Sequence, residues 1–390
     1  MTYNFDEFID REETLSVKHG LKEKIFGRND IIPMWVADMD FKSPDCVSEA
    51  LQERAKHQIY GYSYRPDSFY QAAKEWLKRR HQWEINTKWL SFTPGIVPGV
   101  NLTILALTQP GDKVMIQPPV YFPFFEGIKK NNRTLVENRL VLENRRYQID
   151  FEDFENQLKN GVKLFILSNP HNPGGNVWTE EELRKMGELC LKYNTKLISD
   201  EIHADIVYPP NVFRPLASLS EEIAEQTVTF ISPSKTFNIA GLASAVSVIP
   251  NKVIREAFNN MLDRLHIANG NLFGTVAFET AYRDGDEWLD QLIDYLSENL
   301  KLITERVDNE IEGINVIQPE GTYLAWLDCR ELPIDNSKIH QFMIDEAKIG
   351  MNDGASFGEN GRGFQRLNFG CPRSVLEKAL NQIETAVKKL

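Results

Sequence analysis

Three residues with chemically useful side chains each follow an apolar run of the chain. Lys235 follows TVTFI and a Ser-Pro-Ser break, Asp200 ends KLISD, and Asn172 follows KLFILSNPH. A lysine amine shielded from water loses part of its proton affinity, so it can attack a carbonyl group and form a Schiff base. A carboxylate in such a place needs a cationic partner, because an isolated buried charge is costly. Taken alone, Lys235 would be interpreted as a solvated loop lysine, so a chemical role for it depends on its combination with Asp200 and Asn172.

The apolar runs before these residues predict three buried β-strands. Between residues 90 and 250, strand patterns alternate with helix patterns, which is typical of a largely parallel sheet with crossover helices. Ligands of such sheets lie outside the carboxyl ends of the strands, so the three side chains are expected to meet there. The set matches pyridoxal 5'-phosphate (PLP): the lysine holds the aldehyde, the aspartate keeps the pyridine nitrogen protonated, and the asparagine amide donates to the phenolic oxygen.

The order of the motifs NPHNPGG, SDEIH and SPSKTFNIAGL resembles fold-type I PLP enzymes, the aspartate aminotransferase superfamily. Further stretches narrow the resemblance to the cystathionine β-lyase, or carbon–sulfur (C–S) lyase, branch of the MalY/PatB type. They are PMWVADMDF (33–41), YGYSY (60–64), TYLAWLD (322–328) and GRGFQRLNFGCPRS (361–374). The resemblance runs nearly from end to end of the chain.

This resemblance implies an α/β fold of the fold-type I PLP-dependent transferase class, with a large, mostly parallel domain and a smaller α+β C-terminal domain. The implied boundaries are an N-terminal arm at 1–45 that packs on the small domain, a large PLP-binding domain at 46–285, and the small domain at 286–390. It also implies a homodimer with shared active sites.

Cofactor contacts outside the three strand ends are implied at several further positions. Free N–H groups at a helix start bind anions, so the backbone of Gly95, Ile96 and Val97 is expected to hold the phosphate, although Thr-Pro-Gly is also an ordinary turn. The resemblance implies that Tyr121 stacks on the pyridine ring, with core packing as the alternative. His203 is expected to contact the phenolic oxygen or to support it, with a structural histidine as the alternative.

The phosphate is expected to depend on hydroxyl groups. Ser232 and Ser234 flank Lys235, and the resemblance implies that Tyr62 reaches the phosphate from the partner subunit. Many aminotransferases of this fold carry an arginine eight residues after the lysine, and here that position is Ala243. The C–S lyase branch shares this absence.

Two positions are implied to bind the substrate carboxylate. Arginine binds carboxylates through two parallel hydrogen bonds, and the superfamily uses an arginine at the position of Arg366. Without the resemblance, an exposed arginine on a strand edge would be the simpler interpretation. The backbone around Ala37 is expected near the same carboxylate, in a stretch that reads as a short strand breaking into acidic residues.

The composition limits the remaining classes of function. The 390 residues are 42% hydrophobic and 26% charged, with a net charge of −12, which argues against general binding to nucleic acids or anionic membranes. There is no apolar run of transmembrane length, and the acidic start lacks a signal-peptide pattern. The four cysteines, Cys46, Cys190, Cys329 and Cys371, form no CxxC pair, which favours free thiols in a reducing cytoplasm and no metal site.

The predicted activity is PLP-dependent β-elimination. L-cystathionine, and other cysteine-type thioethers, would yield a thiol, pyruvate and ammonia, with Lys235 as catalytic base. Transamination is the alternative, because it shares the early steps. A PLP-binding regulatory protein that acts through protein contacts is a second alternative, while direct DNA binding is not expected without a basic patch.

Overall fold

The structure is a computed structural model that describes residues 2–390, so Met1, the first residue of the predicted arm, lies outside the described residues. The helices, in chain order, are α1 (Val17–Gly20), α2 (Lys22–Phe26), α3 (Asp45–Lys56), α4 (Asp67–His81), α5 (Ile96–Leu107), α6 (Pro123–Lys130), α7 (Phe151–Lys159), α8 (Glu180–Lys192), α9 (Glu221–Gln226), α10 (Pro233–Thr236), α11 (Lys252–Arg264), α12 (Leu272–Asp284), α13 (Asp286–Glu310), α14 (Ile339–Asp345) and α15 (Arg373–Val387).

The strands, in chain order, are β1 (Ile32–Pro33), β2 (Leu90–Thr93), β3 (Lys113–Ile116), β4 (Thr134–Glu137), β5 (Val141–Glu143), β6 (Arg146–Gln148), β7 (Val162–Ser168), β8 (Lys196–Asp200), β9 (Thr227–Ile231), β10 (Ala245–Val248), β11 (Asn315–Ile317), β12 (Leu324–Asp328), β13 (Ile349–Gly350), β14 (Asn352–Asp353) and β15 (Phe364–Asn368). Seven of these strands form the central sheet, which has the order β2-β10-β9-β8-β7-β3-β4. Strand β10 is antiparallel to both neighbours and every other pairing is parallel. The prediction of a largely parallel sheet is therefore confirmed.

The central strands are buried on both faces, which explains their continuous apolar runs. All residues of β9 are buried, as are four of the five in β8. Helix α8 begins with a capping box, in which the Thr179 hydroxyl accepts from Glu182 N–H and the Glu182 carboxylate accepts from Thr179 N–H. This cap fixes where the crossover helix between β7 and β8 starts.

A second sheet, β11-β12-β15-β14, is antiparallel throughout. The 25-residue helix α13 precedes it. Leucines of α13 and α15 share one apolar core with β12 and β15. Of residues 2–390, no helix is both long and apolar enough to cross a membrane.

The stretch from Pro33 to Phe41 corrects the expectation of a short apolar strand. Strand β1 covers only Ile32–Pro33, where it pairs in parallel with β13. The residues from Trp35 onward form a loop because side-chain donors, rather than the backbone of a neighbouring strand, bind their carbonyl groups. Asn368 donates to Val36 O and Asp38 O at 2.6 Å each.

The position of Lys235 also differs from the expectation of a simple strand-end loop. The Ser-Pro-Ser break starts a single helical turn, α10, with Ser232 as N-cap and Pro233 in the first turn. Proline is favoured there because its missing N–H would have no helical partner. Lys235 thus has helical backbone geometry one turn beyond β9.

Candidate active site

A cavity of about 240 Å³ lies at the carboxyl ends of β7, β8 and β9. Its wall includes most of the residues predicted to contact a cofactor: Ala37, Gly95, Ile96, Val97, Tyr121, Asn172, Asp200, His203, Ser234 and Lys235. The place agrees with the rule that such sheets bind ligands beyond their strand ends. Ser232, Arg366 and Tyr62 do not line this wall.

The amine of Lys235 donates a 2.5 Å hydrogen bond to Ala37 O. Burial lowers the pKa of Lys235 to about 8, while the carboxylate of Asp38 opposes that shift. Roughly one tenth of the amine is therefore unprotonated at pH 7 and about half at pH 8, far more than for an ordinary lysine, and this neutral form attacks carbonyl groups and accepts protons.

Asp200 ends β8 with a side chain that is almost fully buried. Burial raises the pKa of its carboxyl to about 7, and its hydrogen bond from Ile202 N–H and the charge of Lys235 act in the opposite direction. A carboxyl at this point stabilises a cationic ligand atom, because the pair removes the cost of an isolated buried charge.

Asn172 and Arg366 are in direct contact. Arg366 Nη1 donates to Asn172 Oδ1 at 3.0 Å, which leaves the asparagine amide nitrogen as the group that can donate to a ligand. Arg366 Nη2 donates to Trp35 O at 2.8 Å and to Asn352 Oδ1 at 2.6 Å.

The surroundings of Arg366 rule out the exposed strand-edge interpretation. Strand β15 lies between β12 and β14, and Arg366 is 3% exposed. Its Nε atom is buried without a hydrogen-bond partner, and burial lowers the pKa of the guanidinium to about 10. A buried cation with an unused N–H group suits an anionic ligand.

His203 and Tyr121 also line the cavity. Burial lowers the pKa of His203 to about 3, so the imidazole is neutral at ordinary pH, and its Nδ1 atom has no hydrogen-bond partner. Burial raises the pKa of Tyr121 above its ordinary value. Both side chains can therefore offer neutral polar atoms and ring surface to a flat ligand.

Helix α5 begins at Ile96 with Gly95 as its N-cap, so the first N–H groups of this 12-residue helix lie at the cavity wall. Ser234 and Ala243 line the same cavity. The Ser232 hydroxyl lies behind Ser234, where it donates to Ser244 O at 2.9 Å and meets Ser234 Oγ at 2.6 Å. Ser234 is thus the hydroxyl that reaches the cavity directly.

Tyr62 is not part of this wall in the single chain. Its side chain is fully exposed, at 107% of the reference area, in a segment between α3 and α4. Its neighbours Tyr60 and Tyr64 are exposed as well. An exposed aromatic cluster of this kind is typical of a surface that another molecule covers.

Sequence reasoning missed several residues that shape the site. Tyr323 donates to Ala37 O at 2.9 Å, so two donors share one carbonyl oxygen. Asn238 donates to Met39 O and Phe41 O, which fixes the loop beside Lys235. Tyr323 lies in the motif TYLAWLD and Asn238 lies in SPSKTFNIAGL. Both motifs carry the family resemblance, but neither assigns a role to these two residues.

The donor set fits PLP rather than a metal ion. The carboxyl of Asp200 suits the ring nitrogen of PLP, and the amide nitrogen of Asn172 suits its phenolic oxygen. The N–H groups at the start of α5 suit the phosphate, and the amine of Lys235 suits the aldehyde. Between residues 2 and 390, no cluster of three or more His, Cys, Asp or Glu is arranged to hold a metal ion.

Comparisons with known proteins agree with this geometry. The family model for aminotransferase class I and II matches residues 29–383. Cystathionine beta-lyase PatB of Bacillus subtilis (strain 168) is 40% identical, across 98% of this chain and 100% of the relative.

Two solved structures are similar along the whole chain. A PLP-bound protein from Clostridium difficile 630, provisionally described as an aminotransferase, has a TM-score of 0.97 and 44% identity over 99% of this chain and 100% of its own. The PLP-bound C–S lyase from Staphylococcus hominis has a TM-score of 0.93 and 34% identity over 99% and 98% of the two chains.

Proposed function

The chain belongs to the aminotransferase class I and II family, and we propose that it is a PLP-dependent C–S β-lyase. It cleaves L-cystathionine, and cysteine-type thioethers generally, with water to a thiol, pyruvate and ammonia. The observation that carries the proposal is the 40% sequence identity with cystathionine beta-lyase PatB over the full length of that protein. The cavity at the strand ends supplies the groups that this chemistry needs.

The substrate is held by its α-carboxylate. Arg366 supplies the positive charge, and its unpaired Nε–H is available for the second of two parallel hydrogen bonds. Asn172 and Asn352 hold the guanidinium in one orientation. Bidentate binding of this kind fixes the direction of the α-carbon–hydrogen bond, which a single contact would leave free.

Lys235 is the catalytic base. Its Nζ takes the proton from the substrate α-carbon, and its lowered pKa makes the amine competent for this near neutral pH. Bound PLP supplies an electron sink for the carbanion that this proton removal creates. Asp200 keeps the proton on the ring nitrogen, and loss of a thiolate from the β-carbon completes the elimination.

The remaining cofactor contacts follow from the cavity wall. The N–H groups of Gly95, Ile96 and Val97 and the Ser234 hydroxyl hold the phosphate, and Ser232 supports Ser234. Asn172 donates to the phenolic oxygen, with His203 beside it, and Tyr121 stacks on the ring. Ala37 O receives the Lys235 amine when it is free and lies beside the substrate carboxylate.

We propose a homodimer in which Tyr62 of each subunit reaches the phosphate in the partner's cavity. The support is the full exposure of this side chain in the single chain, and the lack of an arginine at Ala243, which leaves the phosphate in need of further donors. The cysteines are free thiols, which supports a reducing, cytoplasmic location.

We also propose the division into an arm at 1–45, a large domain at 46–285 and a small domain at 286–390. The central sheet takes all its strands from residues 90–248, and the second sheet takes its strands from 315–368. The pairing of β1 with β13 supports an arm that packs on the small domain.

Aminotransferase activity is the second candidate, because the Clostridium difficile protein of TM-score 0.97 is provisionally described as one. The two activities differ in one requirement: a transaminase needs a keto acid to complete its cycle, and a lyase does not.

Reduction of the holoenzyme with borohydride, followed by peptide mapping, tests the site that both candidates share. We expect the cofactor on Lys235. A label on another lysine would contradict the assignment.

A further inference from the structure

A buried carboxylate lies directly beneath the turn that carries Lys235. Asp205 Oδ2 accepts a 2.6 Å hydrogen bond from the hydroxyl of Thr236, the residue after the lysine. Its Oδ1 accepts from Trp76 Nε1 at 2.9 Å and pairs with His81 Nε2 at 2.7 Å. The side chains of His81 and Asp205 are only 7% and 5% exposed. None of these four residues lines the cavity.

The turn needs a hydrogen bond of this kind to hold it in place, because helix α10 has only four residues. One helical turn closes few hydrogen bonds of its own, so its position depends on tertiary contacts. Asn238 attaches the far end of the turn to the loop at Met39 and Phe41. The hydrogen bond from Thr236 to Asp205 attaches the other side of the turn to the segment that follows β8.

Asp205 also belongs to the segment that leaves β8. It follows Asp200 by five residues and His203 by two, so the same segment carries both of those cavity residues. The segment itself is compact, since Ala204 N–H donates to Glu201 O and Ile206 N–H donates to His203 O. The Thr236–Asp205 hydrogen bond therefore joins the Asp200 side of the cavity to the Lys235 side.

We propose that Asp205 is a positioning residue, which acts through Thr236 to hold the Lys235 amine at a fixed place relative to Asp200. The inference deepens the proposed function and rests on it only in that Lys235 is the residue linked to the cofactor. His81 Nε2 and Trp76 Nε1 bind the other carboxylate oxygen, so that three elements, α4, the segment after β8 and α10, meet at one carboxylate.

The charge state of Asp205 agrees with this role. Burial acts to raise the pKa of Asp205. The hydrogen bond and charge of His81, and the hydrogen bonds from Thr236 and Trp76, outweigh burial and lower the pKa below its ordinary value. The phenol of Tyr282, which stacks on Trp76 with ring centroids 5.0 Å apart, faces the same carboxylate. An ionised acceptor makes the bond from Thr236 a charge-assisted one, which is shorter and stronger than a neutral bond.

The test compares Thr236→Val with Thr227→Val in the PLP-loaded, full-length protein. Each change removes one hydroxyl donor from a threonine of 0% exposure, and the Thr227 hydroxyl donates to Ile223 O at 2.7 Å at the opposite end of β9. We expect Thr236→Val to lower kcat by about 10- to 100-fold with a much smaller change in KM, since small displacements of a reacting group have effects of this size.

The deciding readout is the absorbance of the bound cofactor as a function of pH, which reports the placement of the amine and needs no turnover. We expect its midpoint to move in Thr236→Val and in Asp205→Asn, and to stay at the wild-type value in Thr227→Val. A wild-type midpoint in Thr236→Val would overturn the inference, whatever happens to kcat.

The same experiment separates this inference from the proposed function. If the wild-type protein releases no pyruvate from a thioether, the C–S lyase proposal fails, while the absorbance midpoints of the variants still decide the role of Asp205. If Asp205→Asn does not fold, Thr236→Val alone decides, because valine has nearly the shape of threonine and leaves the His81–Asp205 pair in place.

Discussion

Lys235 Nζ and Ala37 O are 2.5 Å apart, and this contact joins the helical turn α10, which follows the central strand β9, to the N-terminal segment. The same oxygen accepts from the hydroxyl of Tyr323, the residue before β12 of the second sheet, at 2.9 Å. The free amine therefore lies where three parts of the chain meet. A base in this position is held by the tertiary fold rather than by its own short helix.

Lys235→Met is expected to stabilise the cofactor-free protein at neutral pH. Burial lowers the lysine pKa from 10.5 to about 8, so the folded state disfavours the proton that the unfolded chain holds. That penalty is fully present below pH 8 and disappears as pH rises towards 10.5. We expect a gain of about 2–3 kcal/mol in the free energy of unfolding at pH 7, and a smaller gain at pH 10.

Urea unfolding of both proteins, stripped of cofactor, at the two pH values gives the measurement. A Lys235→Met variant less stable than the parent at pH 7 would show that the amine is not disfavoured by its surroundings.

Asp200→Asn is expected to change stability and catalysis in opposite directions. Burial raises the carboxyl pKa from 3.8 to about 7, so the folded state binds a proton more tightly and its stability falls as pH rises through that window. The cofactor-free variant should therefore unfold at a higher urea concentration than the parent at pH 8, and at a similar one near pH 4. Turnover by the PLP-loaded variant should fall about 10²-fold or more, because the ring nitrogen loses its counter-charge.

Equal urea midpoints at pH 8 would contradict the burial argument. Unchanged turnover would contradict the assignment of Asp200 to the ring nitrogen.

Arg366→Lys is expected to raise KM for the amino-acid substrate by about 10- to 100-fold, because lysine cannot form two parallel bonds to a carboxylate. Arg330→Lys is the matched control: Arg330 follows β12, which pairs with β15, and its guanidinium binds Asp328 rather than Asn172. Steady-state kinetics of both variants give the comparison. A KM that rises equally in both would mean that general loss of packing, rather than carboxylate binding, is responsible.

Mixed dimers test whether Tyr62 serves the partner's site. The mixture combines Tyr62→Ala subunits with Lys235→Ala subunits, each of which is expected to be weak or inactive as a homodimer. A hybrid dimer has one site with both residues intact, so a refolded 1:1 mixture should recover about one quarter of wild-type activity. If Tyr62 served its own subunit, mixing would recover nothing. Tyr64→Ala, also exposed at 84%, is the control that should retain activity by itself.

The sequence was most informative where local patterns decide the structure. The apolar run before Asn172 forms the strand β7 (Val162–Ser168), and Asp200 ends its strand as expected, because apolar runs and breakers fix strand ends locally. The meeting of Lys235, Asp200 and Asn172 at one cavity then follows from the parallel order of the strands.

Contacts between distant segments could not be read in the same way. The loop after Pro33 resembled a strand, but Asn368, more than 300 positions away, binds its carbonyl groups. Ser232 is close to Lys235 in sequence, yet its hydroxyl donates to the carbonyl oxygen of Ser244, the residue before β10. Arg366 was expected at the carboxylate, but the residues that orient it, Trp35 and Asn352, come from other elements.

The most direct test of the C–S lyase assignment is a product balance with L-cystathionine and no keto acid. The PLP-loaded protein is predicted to release pyruvate and thiol in equal amounts over many turnovers, and Lys235→Ala is predicted to release neither. A wild-type protein that produces no pyruvate under these conditions, but turns over once a keto acid is supplied, would contradict the assignment and identify an aminotransferase.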